Sequence, residues 1–248
     1  MKNLLFPALL LTLACSSPKS EQEIFSEQQR EVLDPIKKPD LEPTLSALEQ
    51  QLIDQGMTNV KDAIPGIMVE LKYSTTDNFF GMDVYGDLTE AYLQPIVVEQ
   101  LKKAQEMLQS EHPTYTLLIY DGVRPRSVQQ ILWDNLDKPD SLKPLYVANP
   151  EEGSLHNFGV AIDLTIYDTA ADSTLDMGTT YDFFGYPAYP DREEQMLLEK
   201  KLQLKHIANR SILRKVMKAN GFSGIGSEWW HFNAYSRKEA GEKFKIVE

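Results

Sequence analysis

The chain has 248 residues, a formal net charge of -12 at pH 7, a single cysteine and only four histidines. So acidic a balance excludes nucleic acid as a partner, because phosphate binding needs a basic surface. One cysteine excludes an intrachain disulfide, and the apolar content suffices for one well-filled domain core.

The chain opens on Met1-Lys2-Asn3, and Leu4 to Ala14 is then almost wholly apolar up to Cys15. One positive charge, a short apolar run and a small residue at the break predict a secretory signal over 1–14, too short to span a membrane. Thr12-Leu13-Ala14-Cys15 resembles a bacterial lipoprotein box, with Thr12 where an aliphatic is usual. Ordinary signal cleavage nearby would leave Cys15 incidental, but the polar run from Ser16 to Glu23 reads as a tether and favours a lipid on Cys15. Residues 15–43 are polar, acidic and proline-bearing, and bury too little surface to offset their ordering entropy. They are expected to be a flexible stalk, leaving 44–248 as one domain.

Leu45, Leu48, Leu52 and Ile53 predict a short amphipathic helix closed by Gly56, and the alternation from Ile67 to Tyr73 predicts a strand. Asp77 to Leu88 is an aromatic, glycine-bearing loop suited to line a pocket. Val97, Leu101, Ala104 and Leu108 mark a helix ending before His112-Pro113. Thr116 to Tyr120 is an apolar strand that delivers Asp121 to Arg126 at its end, and a helix over 126–136 starts just after Pro125. Irregular chain follows to Gly153. Tyr167 to Asp191 reads as a long acidic loop, and 191–220 as helical, broken near Gln203, with Ile207, Ser211, Ile212 and Val216 inward and Gly221 as its cap. Helices and short strands in no strict alternation imply an α+β fold, a small and mainly antiparallel sheet with helices packed to one side.

Two segments carry the chemistry. In Ser154-Leu155-His156-Asn157-Phe158-Gly159-Val160-Ala161-Ile162-Asp163, His156 and Asp163 are seven positions apart. On one helix that is roughly 10 Å, too far to share an ion, so a turn at Gly159 followed by a strand is expected, with Asp163 on its small-residue face. In Glu228-Trp229-Trp230-His231, the strand from Trp229 to Asn233 puts Trp229, His231 and Asn233 on one face. Glu228 and His231 can meet only if the chain bends near Ser227-Glu228. His156, Asp163 and His231 then offer two imidazoles and a carboxylate to one zinc ion, an open and therefore catalytic ligand set, with Glu228 free beside it as a general base. Taken singly, each segment also reads as packed core. Together they hold two of the four histidines, each with acids at a useful offset.

These two motifs resemble those of the zinc peptidases that cleave D-alanyl-D-alanine. Tyr73-Ser74-Thr75-Thr76-Asp77-Asn78-Phe79-x-Gly81, Asp121-Gly122-Val123-Arg124-Pro125 and Met177-Gly178-Thr179-x-Tyr181-Asp182 resemble the dipeptidase branch, and the similarity runs from about Ile67 to Tyr235. The resemblance implies an α+β fold, one zinc per chain and a small dipeptide substrate. Arg124 is the candidate partner of the tetrahedral oxyanion opposite the metal, or else a salt bridge that fixes its loop. Asp182 is the candidate partner of the dipeptide ammonium, or else a loop cap. Tyr73 would wall the amine side and Ser154 would hydrogen-bond substrate near the metal. A D,D-carboxypeptidase acting on cell-wall stems, a zinc-containing wall-binding lipoprotein without catalysis and a structural lipoprotein stay as alternatives, although a pure binder has no use for the unligated Glu228. An exported, lipidated dipeptidase lies outside the cytoplasmic precursor pool, which points to turnover of wall fragments. Cys15→Ser should move the protein from the membrane fraction to a soluble extracytoplasmic pool; identical fractionation of both forms would exclude the anchor.

Overall fold

The computed structural model describes residues 45–248, so the signal and tether expected over 1–43 lie outside the described residues. Ser46 caps the first helix, α1 (Ala47–Asp54), with its hydroxyl on the Glu49 amide, while the Glu49 carboxylate returns to the Ser46 amide. Leu52 anchors α1 in the core; Leu45 and Ile53, expected on the same face, are exposed. β1 (Thr58–Asn59) leads into the single turn α2 (Val60–Ala63). The strand expected over 67–73 is only β2 (Met68–Val69), because the chain then tightens into a 3-10 turn at Lys72–Ser74 that buries Tyr73. β3 (Tyr92–Leu93) pairs back on β1.

Pro95 occupies the first turn of α3 (Pro95–Glu111), where its missing N–H costs nothing, and Val97, Leu101, Ala104 and Leu108 point inward as their spacing requires. The buried Gln105 ties α3 to the next strand: its amide donates to Thr116 Oγ1 at 2.7 Å and accepts from the Leu117 N–H at 2.8 Å. β4 (Tyr115–Asp121) and β5 (Ala161–Asp168) form the centre of the sheet, and α4 (Arg126–Asp134) starts directly after Pro125. β5 then turns back into β6 (Ser173–Thr174), so the stretch expected to be one long loop begins as a hairpin. α5 (Glu193–Leu198) and α6 (Leu204–Ala219) break at Gln203 as expected. The inward face of α6 is His206, Arg210, Leu213, Val216 and Met217; Ser211 is exposed, and Ile207 and Ile212 are only half-buried. The apolar pattern misplaces this face because two of its buried positions are polar. β7 (Ser223–Gly224), β8 (His231–Asn233) and α7 (Arg237–Lys243) complete the chain.

The main sheet runs β2-β4-β5-β8-β7 with β6 on β5. Only the β2–β4 pair is parallel, which gives the expected α+β class with a mainly antiparallel sheet. Strand alternation separates two roles. Leu117, Ile119, Ile162, Leu164, Ile166 and Phe232 all belong to the hydrophobic core. The alternate positions of the same strands carry Thr165, Asp163 and His231.

Candidate active site

Neighbouring strands assemble the site. Asp163 lies directly opposite His231 in the β5–β8 register and opposite Asp121 in the β4–β5 register. The β4 register shifts between Ile119 and Asp121, a bulge that re-aims the end of the strand. His156 arrives from a 3-10 turn (Leu155–Phe158) whose N-cap is Ser154. Gly159 ends that turn at φ +67°, a left-handed conformation, and a side chain there would press on the Met57 sulfur at 3.0 Å. β8 begins only at His231, since the chain bends at Trp229-Trp230 as well as at Gly226-Ser227. Those bends replace the single one expected at Ser227-Glu228, and they bring Glu228 Oε2 within 3.9 Å of His231 Nδ1.

Three ligand atoms converge. His231 Nδ1 is 2.9 Å from Asp163 Oδ1 and 3.2 Å from His156 Nε2, and His156 Nε2 is 3.5 Å from Asp163 Oδ1. A tetrahedral zinc with bonds of about 2.0–2.1 Å needs ligand separations of about 3.3 Å, so the trio fits the ion. The far nitrogen of each ring is already fixed. His156 Nδ1 donates to the Gly122 carbonyl at 2.8 Å, and His231 Nε2 donates to Asn233 Oδ1 at 2.8 Å. Each bond places the ring proton away from the cavity and the lone pair toward it. Asp163 Oδ2 accepts from the Tyr181 hydroxyl at 3.0 Å, which leaves Oδ1 for the metal. Among the described residues these three are the one group of histidines and acids close enough to hold an ion.

The remaining predicted residues surround the trio. Arg124 is buried, with Nε on Asp121 Oδ2 at 3.0 Å, Nη2 on the same oxygen and Nη1 on Gln129 Oε1 at 3.0 Å. Those bonds use three of the five guanidinium N–H groups and leave two. The ring of Tyr73 lies 4.9 Å from the guanidinium, and its hydroxyl donates to Asp182 Oδ2 at 3.0 Å. Ser154 Oγ accepts from the His156 amide at 3.3 Å, so its hydroxyl hydrogen stays free. Backbone bonds sew the two loops together: Arg124 N–H to the His156 carbonyl at 3.1 Å, and a bridge through Val247, whose carbonyl accepts from the Arg126 N–H at 2.8 Å and whose N–H donates to the Asn157 carbonyl at 2.8 Å. Sequence reasoning named no role for Asp121, Gln129, Tyr181, Asn233 or Val247. Asn233 shares the His231 face and Asp121 heads the arginine motif, so those two carried a readable signal.

Burial opposes a charge on His231, but the hydrogen bond and charge of Asp163, with Glu228 adding to them, push it up to about 9. Burial would raise Asp163 too; the charge of His156 and hydrogen bonds from both imidazoles instead hold it well below the usual carboxylate range. Glu228 moves up, through burial and the charge of Asp163 against the opposing pull of His231. Asp182 goes well above the carboxylate range, from burial and then the charges of Asp163 and Glu228. The cavity thus collects Asp163, Glu228 and Asp182; of its two lining arginines, Arg124 is already matched by Asp121, and Arg237 is exposed and donates to the Glu152 carbonyl. Its electrostatics call for added cations.

Tyr73, Arg124, Ser154, Asp182, Glu228 and Trp230 line a cavity of about 280 Å³ with the metal trio. That is at the small end for ligand sites. A larger cavity of about 960 Å³ lies beyond Asp182 and Phe184, but it contains none of the three metal ligands. The chemistry therefore belongs to the smaller one.

An α+β fold with an open two-histidine, one-aspartate centre and a carboxylate beside it defines a zinc metallopeptidase. The chain belongs to the Peptidase M15 family, described as D-ala-D-ala dipeptidase, whose model matches residues 54–245. It is 33% identical over 182 residues to a D-alanyl-D-alanine dipeptidase of Escherichia coli K12, covering 68% of this chain and 79% of that one. A D-alanyl-D-alanine dipeptidase of Enterococcus faecium is 28% identical over 194 residues, covering 71% and 90%. Among solved structures, the D,D-dipeptidase VanXYg with a D-Ala-D-Ala phosphinate analog is 18% identical, over 64% of this chain and 62% of that one, at a TM-score of 0.36.

Asn233→Ala frees the outer nitrogen of His231 and should weaken zinc binding by about 10–100-fold with the fold intact. Competition against a chromogenic chelator measures it; wild-type affinity in the variant would show that Asn233 does not orient the ligand.

Proposed function

We propose that this chain hydrolyses the dipeptide D-Ala-D-Ala with one zinc ion held by His156, Asp163 and His231. The observation that carries the reading is the charge of the cavity. Asp163, Glu228 and Asp182 gather in it while Arg124 is already paired with Asp121, an arrangement that suits a divalent ion at Asp163 and a substrate ammonium at Asp182. A dipeptide brings that ammonium one residue from the scissile bond; a longer stem does not.

When bound, zinc supplies Lewis acidity toward the scissile carbonyl and the attacking water. Glu228 Oε2 takes a proton from that water and returns it to the departing amide nitrogen. Burial and the charge of Asp163 shift the Glu228 carboxyl upward, the direction that makes it a better proton acceptor. The two unused N–H groups of Arg124 donate to the oxygen on which charge develops, and Asp121 and Gln129 hold the guanidinium in place beforehand. Asp182 receives the ammonium, backed by the Tyr73 hydroxyl. Ser154 turns its free hydroxyl hydrogen toward the substrate. Export and a lipid on Cys15, read from Leu4 to Cys15, would place this activity on wall-derived fragments outside the cytoplasm.

Glu228→Gln should keep one zinc per chain and lose about 10²–10⁴-fold in turnover. Loss of the metal along with activity would make Glu228 a ligand instead of a base. The free dipeptide should be cut far faster than N-acetyl-D-Ala-D-Ala, and Asp182→Ala should narrow that gap by harming the free dipeptide more. Equal rates on the free and acetylated dipeptides in the wild-type protein would favour a D,D-carboxypeptidase.

A further inference from the structure

We infer that Arg210 is a positioning residue for substrate recognition, a buried guanidinium that clasps both ends of the 177–187 segment and so aims Tyr181 and Asp182 into the metal cavity. The role for Asp182 rests on the function proposed above; the clasp itself does not.

The segment has little regular structure of its own. Among the described residues, 179–184 hold no helix or strand and only a turn at Tyr181-Asp182. Asp182 also sits at φ +55°, a left-handed conformation that aspartate tolerates in a turn. The fixed points of the segment come from α6. Arg210 is fully buried, with Nε donating to the Met177 carbonyl at 2.8 Å and Nη2 to the Pro187 carbonyl at 2.9 Å. One planar group therefore joins residues ten positions apart, at the two feet of the loop.

Charge pairing alone does not account for this arginine. Glu193 is taken by both guanidinium nitrogens of Arg214, at 2.7 and 2.8 Å, and Arg210 reaches it only at 3.3 Å. The shortest bonds of Arg210 go to backbone carbonyls, an expensive use of a buried cation unless the loop needs fixing. The same guanidinium lies 5.9 Å from the Trp229 ring, whose Nε1 donates to Thr179 Oγ1 at 2.8 Å. The foot of the loop is thereby tied to the chain that leads into His231. At the tip, Tyr181 bonds Asp163 Oδ2, and Tyr73 bonds Asp182. The clasp is thus continuous from α6 to a metal ligand and to the proposed ammonium partner. Lysine cannot replace it, because a single ammonium lacks the fixed fork that spans two carbonyls.

The test uses the zinc-loaded protein with Arg210→Lys and Arg210→Met. Both should retain one zinc per chain, raise KM for D-Ala-D-Ala by about tenfold with a smaller change in kcat, and narrow the preference over the acetylated dipeptide. Chymotryptic cleavage after Tyr181, Phe183 or Phe184 should speed up by about tenfold, since it reports opening of this segment directly. Rescue of both readouts by lysine would reduce Arg210 to a counter-ion of Glu193 and overturn the inference, as would unchanged cleavage and KM in both variants. Should neither variant fold, Thr179→Val removes only the Trp229 bond at the same foot; it should show the same shifts at smaller size, and wild-type cleavage and KM in it would overturn the clasp. A wild-type protein inert toward D-Ala-D-Ala would sink the proposed function, while the cleavage rates would still decide the clasp.

Discussion

Asp163 and His231 face each other across adjacent antiparallel strands, and a one-residue slip between β5 and β8 would turn one of them to the opposite face of the sheet. The register is secured by what lies between the site residues. Ile162 pairs with Phe232, and both are fully buried in the core. The residues that make the sheet stable are thus interleaved with the residues that make it reactive. The bulge at the end of β4 serves the same geometry from the other side by setting Asp121 opposite Asp163.

Around that pairing the structure concentrates acid. In a buried space, adjacent carboxylates repel and drift toward neutrality unless cations join them. Here Asp121 neutralises Arg124, which frees the arginine from any duty toward the other acids and leaves it preorganised by two partners. The remaining acids are divided by their contacts. Asp163 is fixed by two imidazoles and Tyr181, Asp182 by Tyr73, and Glu228 stands at the edge with a quarter of its side chain exposed. A ligand, an anchor and a base are distinguished by these neighbours, although all three are carboxylates.

Much of the site was legible because its chemistry resides in residue types at telling distances. His156, Gly159 and Asp163 could be read as a turn into a strand, and Glu228 and His231 as a bent approach to another. α3, the start of α4 and the break at Gln203 followed from apolar spacing, proline and the chain's punctuation. Illegible were the contacts that depend on the tertiary fold. The Gly122 carbonyl that orients His156 has no side-chain signature, and Asn233 becomes a ligand's partner only once β8 is placed. The inward face of α6 was misread because Arg210 and His206 are buried polar residues on a helix judged by its apolar ones. The hairpin at β6 was hidden by an acidic, exposed sequence that reads as loop.

The central claim is that one zinc ion in this trio makes the chain a D-Ala-D-Ala hydrolase. It is tested most directly by stripping the protein of metal and measuring D-alanine release from D-Ala-D-Ala as zinc is added back. Release should be absent at the start, rise in proportion to added zinc and level off at one equivalent per chain. A protein carrying its full equivalent of zinc in this site that leaves the dipeptide intact would contradict the claim.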